Sequence, residues 1–493
     1  MKQAFFAVTL AILAGFALPA QGERRPNIVI LFADDLGYAD LASYGNPYIR
    51  TPNLDDLAHQ GQRWTDFYVA APVCSPSRGA LLTGQLSVKT GLYGRRLSVM
   101  HPKDSYGIPD RLVTIAEALK SAGYRTAMFG KWHLGDAPEH YPTRNGFDYW
   151  YGVPYSNDMD RVGSMDVDEL MQAIAQGASE KLQRVYPQML ESFKHPEKFT
   201  WNIPLYRSER RGGDYHDELL ERPIDQPTFT RRLTEEAVRF MKNNAQQPFL
   251  VYLPYSMPHL PVFASEAFDG KSLRGAYGDA VQEIDWSVGR IRSTLEQLGI
   301  AKHTLIFFSS DNGPWQEVST FRAGSAGVLH GSKGTTWEGG VRVPGIFWWP
   351  GKIKPGVVSD IGSTLDVYAT ALRLAGVALP PGTDGIDLER SLFDGAPSPR
   401  NELPYYHKGY LKAYRKGRYK IVFFGGERST TQIEQPLLFD LHQDIAEQQD
   451  ISREQPEALQ DLLQAVAKHR AQLTIAEPIF DLRLAGSSPI SKH

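Results

Sequence analysis

The chain has 493 residues, 42% hydrophobic and 22% charged, with a formal net charge of −3. That is globular composition, long enough for a large core and two domains. The near-neutral balance excludes a basic surface of the nucleic-acid-binding kind, so an anionic ligand would have to meet a local cluster of cations.

The N-terminus reads as an export signal covering residues 1–22. Lys2 supplies a positive start, Ala4 to Ala17 an apolar stretch too short to span a bilayer, and Ala20 and Gly22 a small-residue cleavage site. The alternative is an uncleaved anchor. With the signal removed no membrane span is expected, and the mature protein would be periplasmic or secreted. A single cysteine, Cys74, excludes an intramolecular disulfide framework. Burial in a core is the ordinary fate of such a residue.

Short apolar runs read as buried strands at Asn27–Ala33, Arg125–Gly130, Phe249–Leu253, Thr304–Ser310 and Gly345–Trp348. Between them lie helical patterns. Leu112, Ile115, Ala116 and Leu119 share one face, and Val281, Ile284, Val288, Ile291, Leu295 and Leu298 another. Continuous apolar strands alternating with helices predict an α/β fold, a mostly parallel sheet flanked by helices. Residues 155–245, rich in Arg, Glu, Gln and Tyr, read as an insertion of helices and loops. From about residue 397 the character changes. A turn-rich stretch leads into Leu411–Phe424, Leu437–Leu441 reads as a strand, and Leu459, Leu462, Leu463 and Val466 mark a late helix. The expected division is residues 23–396 for the α/β domain and 397–493 for a smaller C-terminal α+β domain.

The residues at the end of each apolar run carry the chemistry. Asp34 and Asp35 come after the first, Lys131 and His133 after the second, Met257, Pro258 and His259 after the third, Asp311 and Asn312 after the fourth. Ligands of open α/β sheets bind outside the carboxyl ends of the strands, so these groups should meet in one crevice. Asp34, Asp35, Asp311 and Asn312 are oxygen donors suited to a hard cation, calcium or magnesium. Each Asp taken alone could be a cap or turn residue. Cys74 is followed by Ser75-Pro76-Ser77-Arg78-Gly79-Ala80-Leu81-Leu82-Thr83-Gly84. Pro76 fits a first helical turn, which puts residue 74 at the positive end of a helix, a place that attracts anions and lowers a thiol pKa. Arg78, one turn on, could return its guanidinium to the same point.

Cys74-x-Pro76-x-Arg78 with Leu82-Thr83-Gly84 resembles the first signature of the type I, formylglycine-dependent sulfatases. Gly123-Tyr124-Arg125-Thr126-Ala127 through Gly130-Lys131-Trp132-His133 resembles the second. The resemblance continues through Asp34-Asp35-Leu36-Gly37-Tyr38, Pro258-His259, Asp311-Asn312-Gly313, Gly331-Ser332-Lys333-Gly334 and Glu338-Gly339-Gly340-Val341-Arg342-Val343-Pro344, and covers most of residues 26–450. It implies an alkaline-phosphatase-like first domain and a sulfuric ester hydrolase.

It also implies that Cys74 is oxidised to 3-oxoalanine (formylglycine) by a formylglycine-generating enzyme, which needs Pro76 and Arg78. Calcium would be held by Asp34, Asp35, Asp311 and Asn312, with residue 74 completing the shell. The hydrated aldehyde would attack sulfur, and its second hydroxyl would then release sulfate. Arg78 and Lys131 would hold that group, His133 would be the base of the release step, and His259 or Lys333 the acid for the leaving alcohol. Without the resemblance, Lys333 in its Gly-rich loop reads as a solvated charge and each histidine as a structural one. Arg342 and Glu338 read as an ion pair beside the site, and Trp337, Trp348 and Trp349 as core or pocket wall.

The expected substrate is a sulfated carbohydrate such as a polysaccharide-derived oligosaccharide. Arg161, Tyr186, Tyr206, Arg207, Arg210 and Arg211 of the insertion are candidates to grip it. The rivals are an arylsulfatase of broad specificity, a formylglycine-dependent phosphonate or phosphate monoesterase, a cysteine hydrolase using Cys74 with His133 or His259, and a non-catalytic binder of sulfated glycans.

Overall fold

A computed structural model describes residues 25–163, 165–318, 322–424 and 431–485. The expected signal segment lies outside them. Apolar strands gather into a ten-stranded sheet built from β1 (Asn27–Ala33), β2 (Gln62–Tyr68), β3 (Arg125–Lys131), β4 (Tyr149–Val153), β5 (Leu205–Arg211), β6 (Asp214–Glu221), β7 (Phe249–Pro254), β8 (Thr304–Ser310), β9 (Gly345–Trp348) and β10 (Gly356–Ser363). Their order across the sheet is β10-β2-β9-β8-β1-β7-β3-β4-β5-β6. A second sheet of four antiparallel strands comes later in the chain: β11 (Glu402–His407), β12 (Tyr410–Lys416), β13 (Tyr419–Phe424) and β14 (Gln432–Asp440).

The central strand shows why its sequence is apolar throughout. Side chains alternate across a sheet. Ile28, Ile30 and Phe32 of β1 enter one core, and Val29, Leu31 and Ala33 enter the other. The first core is closed by the Cys74–Thr83 helix and by the second sheet, through residues such as Leu403, Tyr405 and Leu438. The second is closed by the Phe229–Asn243 and Gly275–Gln297 helices.

The strands expected at Asn27–Ala33, Thr304–Ser310 and Gly345–Trp348 form with those bounds, and β3 and β7 each run one residue further. β9 pairs antiparallel with both β8 and β2. Two differences stand out from the sequence pattern. Residues 205–221, within the segment expected to hold helices and loops, fold instead as the hairpin β5–β6, which extends the main sheet at its edge. Their charges conceal the pattern, because an edge strand has no need of two apolar faces. The turn-rich start of the C-terminal part likewise yields β11, which pairs with β12.

Among the described residues no helix is long and apolar enough to cross a membrane.

Candidate active site

β8, β1, β7 and β3 are neighbours, and every pairing among them is parallel. Their carboxyl ends therefore open on one side. Backbone bonds knit the ends together: Asp34 N donates to Met257 O at 3.1 Å and Asp311 N to Ala33 O at 3.1 Å. Asp35 and His133 adopt φ of 61° and 60°, left-handed backbone that costs non-glycine residues energy and collects at functional sites.

Cys74 is the first residue of a ten-residue helix, Cys74–Thr83, behind the extended Val73. Gly84 ends that helix at φ 65°, its N–H donating to Ala80 O. Every residue of the helix is buried. Cys74 Sγ donates to Asp34 Oδ1 at 3.6 Å rather than to a histidine.

Three cations meet three carboxylates around it. Lys131 Nζ donates to Asp34 Oδ2 at 2.6 Å, and Lys333 Nζ to Asp35 Oδ2 at 2.8 Å. Arg78 turns to Asp311, with Nε and Nη2 at 2.9 and 2.7 Å from Oδ2, and Nη2 lies 3.4 Å from Asp34. Its guanidinium thus clamps the carboxylates, where the sequence suggested that it reaches for residue 74. Asn312 Nδ2 donates to Asp35 Oδ1 at 2.6 Å, while its Oδ1 is buried with no hydrogen-bond partner among the described residues.

His133 Nε2 lies 2.9 Å from Met100 O. A carbonyl only accepts, so Nε2 carries the hydrogen and Nδ1, buried with no hydrogen-bond partner among the described residues, carries the lone pair. His259 donates through Nδ1 to Leu260 O. Its Nε2 stands 3.5 Å from both Ser156 Oγ and Asp35 Oδ2. Trp315 packs on His259 and Lys333, with its ring 5.2 Å from the imidazole centroid and 4.7 Å from Nζ.

Burial sets the protonation states, modulated by neighbours. It pushes the Cys74 thiol up, against the pull of Lys131 and Lys333. This opposes the expectation that the helix end would lower the thiol pKa, and it disfavours a cysteine-thiolate hydrolase. Burial, then the nearby Asp34 and Asp311, raises Asp35 to about 7 despite Lys333. Burial also raises Asp34, but Lys131 and Arg78 outweigh it and hold the carboxyl below the usual range. Burial keeps both histidines neutral, with Lys131 adding to the effect at His133 and Lys333 at His259.

A metal ion fits this donor set. Ligand atoms of Asp34, Asp35, Cys74 and His259 lie within 4.8 Å of one another. The orphaned Asn312 oxygen and the raised Asp35 carboxyl both mark polar groups that a cation would satisfy. The residues predicted from the strand ends are thus brought together. His259 joins the converging set, and Asp311 is taken by Arg78.

The mouth of the site is a pocket of about 380 Å³ whose wall includes Cys74, His101, Ser156, Trp315, His407 and Lys412. Several of these carry no signal in the sequence. Ser156, in the loop after β4, accepts from Lys131 Nζ at 3.1 Å. His407, Lys408, Tyr410 and Lys412 come from the β11–β12 hairpin, whose turn at Lys408-Gly409 has left-handed φ at both residues. That Lys-Gly turn is the signal that could have located the hairpin. Of the insertion residues expected to grip substrate, Tyr186 reaches this pocket. Arg207 and Arg211 instead pair with Glu218 and Glu209 on the β5–β6 hairpin. Arg342 pairs with Glu338 at 3.2 Å, and Trp337, Trp348 and Trp349 are buried.

Residues 26–377 match the sulfatase family model, and residues 398–490 the model for the C-terminal region of aryl-sulfatase. The chain is 37% identical to arylsulfatase A of Bos taurus, covering 97% of this chain and 92% of that protein. It is 38% identical to N-acetylgalactosamine-6-sulfatase of Canis lupus familiaris, covering 89% and 79%. The solved structure of the PsFucS1 sulfatase from Pseudoalteromonas sp. superposes with a TM-score of 0.74 at 29% identity, covering 92% of each chain.

Proposed function

Because the chain belongs to the sulfatase family and is an enzyme that hydrolyses sulfate esters, we propose that it removes sulfate from a sulfated carbohydrate, with Cys74 converted to formylglycine and calcium as its metal. The observation that carries this reading is the convergence of Asp34, Asp35, Cys74 and His259 at the start of a buried helix. Tyr186, Trp315 and Tyr410 surround the mouth with aromatic faces, and Lys408 and Lys412 with ammonium groups. These suit an anionic sugar. One relative, N-acetylgalactosamine-6-sulfatase, carries a name in keeping with a sulfated sugar.

Formylglycine, when hydrated, supplies an oxygen nucleophile with a second hydroxyl through which sulfate can leave. Calcium, which Asp34, Asp35, Asp311 and Asn312 would hold, would supply positive charge beside the sulfate oxygens. The chain's own groups do the rest. Lys131, Lys333 and the helix end stabilise charge developing on those oxygens. Arg78 fixes Asp311 and Asp34. His133 Nδ1 takes the proton in the release step, being a neutral base with a free lone pair. Lys333 gives a proton to the leaving alcohol, since it is charged while neutral His259 presents a lone pair at Nε2. Cys74, Pro76 and Arg78 are all buried, so the formylglycine-generating enzyme must reach them before folding. Cleavage of an export signal at residues 1–22 would put the mature enzyme in the periplasm or outside the cell.

Three measurements test the reading. Mass spectrometry of the Cys74 peptide from the native host should give the aldehyde, and an unmodified thiol in active protein would overturn it. EDTA should abolish turnover and calcium restore it. Sulfated saccharides should be desulfated faster than matched phosphate esters are cleaved; the reverse would favour the phosphate or phosphonate esterase.

A further inference from the structure

The catalytic pocket adjoins a second cavity of about 920 Å³. The two share Met159, Tyr186, His101 and Asp158 in their walls. Beyond that junction the second cavity is built by residues 160–163 and 165–167 and by the Val167–Gln176 and Ser179–Lys194 helices. Its lining is largely apolar, with Met165, Leu170, Leu182 and Met189 among the contributors. Three of the chain's nine methionines, Met159, Met165 and Met189, stand in this one wall. Methionine adapts its flexible side chain to varied apolar shapes and is favoured at surfaces that accept them. Apolar surface is left open there, with Val162 59% and Tyr186 39% exposed.

Among the polar side chains that interrupt the lining, Asp158, Asp160, Asp166, Gln183 and Asn202 included, Arg161 stands apart. Nε and Nη1 of Arg161 are buried with no hydrogen-bond partner among the described residues. Buried donors without acceptors are costly, and a ligand oxygen would relieve them. Sugars alone do not call for a lining in which apolar surface outweighs the polar groups.

We propose that this cavity is a subsite for an apolar portion of the leaving alcohol. The enzyme then accepts amphiphilic sulfate esters, with sulfate at residue 74, the apolar body between the two helices, and an oxygen acceptor of the alcohol at Arg161. This rests on sulfate being held at residue 74, as in the proposed function.

The test is calorimetric binding of methyl sulfate and octyl sulfate to the full chain carrying Cys74→Ala, in calcium, so that nothing is turned over. Burying even half of the added methylenes should tighten binding by about 50-fold or more from methyl to octyl. Val162→Asp places a carboxylate in the cleft at an exposed position, and it should remove most of that gain while leaving methyl sulfate binding unchanged. Equal affinity for the two esters, or a gain that survives Val162→Asp, would overturn the subsite. Sulfate release by the unsubstituted enzyme separates this inference from the proposed function. Tight octyl sulfate binding without release from any sulfate ester leaves the subsite standing and removes the catalytic reading. Release from 4-nitrophenyl sulfate with no octyl preference does the opposite.

Discussion

Arg78 is fully enclosed, and its guanidinium is shared between Asp311 and Asp34. Replacing it by methionine would leave Asp311 buried without its cation and Asp34 with Lys131 alone. Breaking a buried pair from one side costs about 3–5 kcal/mol. Arg78→Met should therefore lower stability as well as activity, visible as a shifted denaturant midpoint, while Lys131→Met spares Arg78's two contacts. Lys333 is different, because the role proposed for it is to deliver a proton. Lys333→Ala should slow an alkyl sulfate by about 10²-fold or more, within the range of general acid catalysis, and slow 4-nitrophenyl sulfate much less, since that alcohol leaves without help. Equal losses on both esters would transfer the acid role away from Lys333. Asp34, Lys131 and Asp311 were legible in the sequence because each comes directly after an apolar run that reads as a buried strand. His407 and Lys412 were not, since a polar side chain on a hairpin carries no periodicity that places it in space.

β3 and β7 show how an element aims a side chain. Gly130 precedes Lys131 and has φ of 130°, and a Cβ built there would lie 1.9 Å from Pro254 O. Only glycine lets the two strands approach this closely at the point where both turn into the site. Gly130→Ala must push β3 away from β7 and carry Lys131 with it. A displacement on the order of 1 Å near reacting groups costs about 10²-fold in rate. The expected outcome is a folded enzyme with kcat/KM reduced by at least that factor, and a wild-type rate would show that Lys131 needs no such placement. The same element scale explains what the sequence hid. Doubly buried strands announce themselves as unbroken apolar runs, whereas β6, exposed along most of its length, reads as Asp-Tyr-His-Asp-Glu-Leu-Leu-Glu and resembles a helix or loop.

The two sheets are joined by a buried set of charges. Lys420 of β13 lies between Glu338 and Glu447, at 2.9 and 2.7 Å. Arg415 of β12 and Arg342 both pair with Asp66 of β2. The second sheet carries His407, Lys408 and Lys412 to the substrate mouth, so this junction fixes one wall of the pocket. Its acids respond to pH in opposite senses. Burial opposes ionisation of Glu338, but Lys420, Arg342 and Arg415 overcome it and hold the carboxyl down at about 2, below its ordinary 4.5. Its contribution to stability is present above pH 4.5 and is lost as pH falls toward 2. Glu447 is raised by burial and by Glu338 to about 7, against Lys420, so the fold favours its protonated form. That preference stabilises fully below pH 4.5 and is lost as pH rises through 7, on the order of 3 kcal/mol in all. Glu447→Gln keeps the size and hydrogen-bonding capacity of the side chain but cannot ionise. Unfolding measured between about pH 5 and 7.5 should show stability falling with pH in the parent and less steeply in Glu447→Gln, with the two curves closest at the acid end. Parallel curves across that range would mean that Glu447 stays ionised throughout, and that Lys420 alone balances both acids at the seam between the sheets.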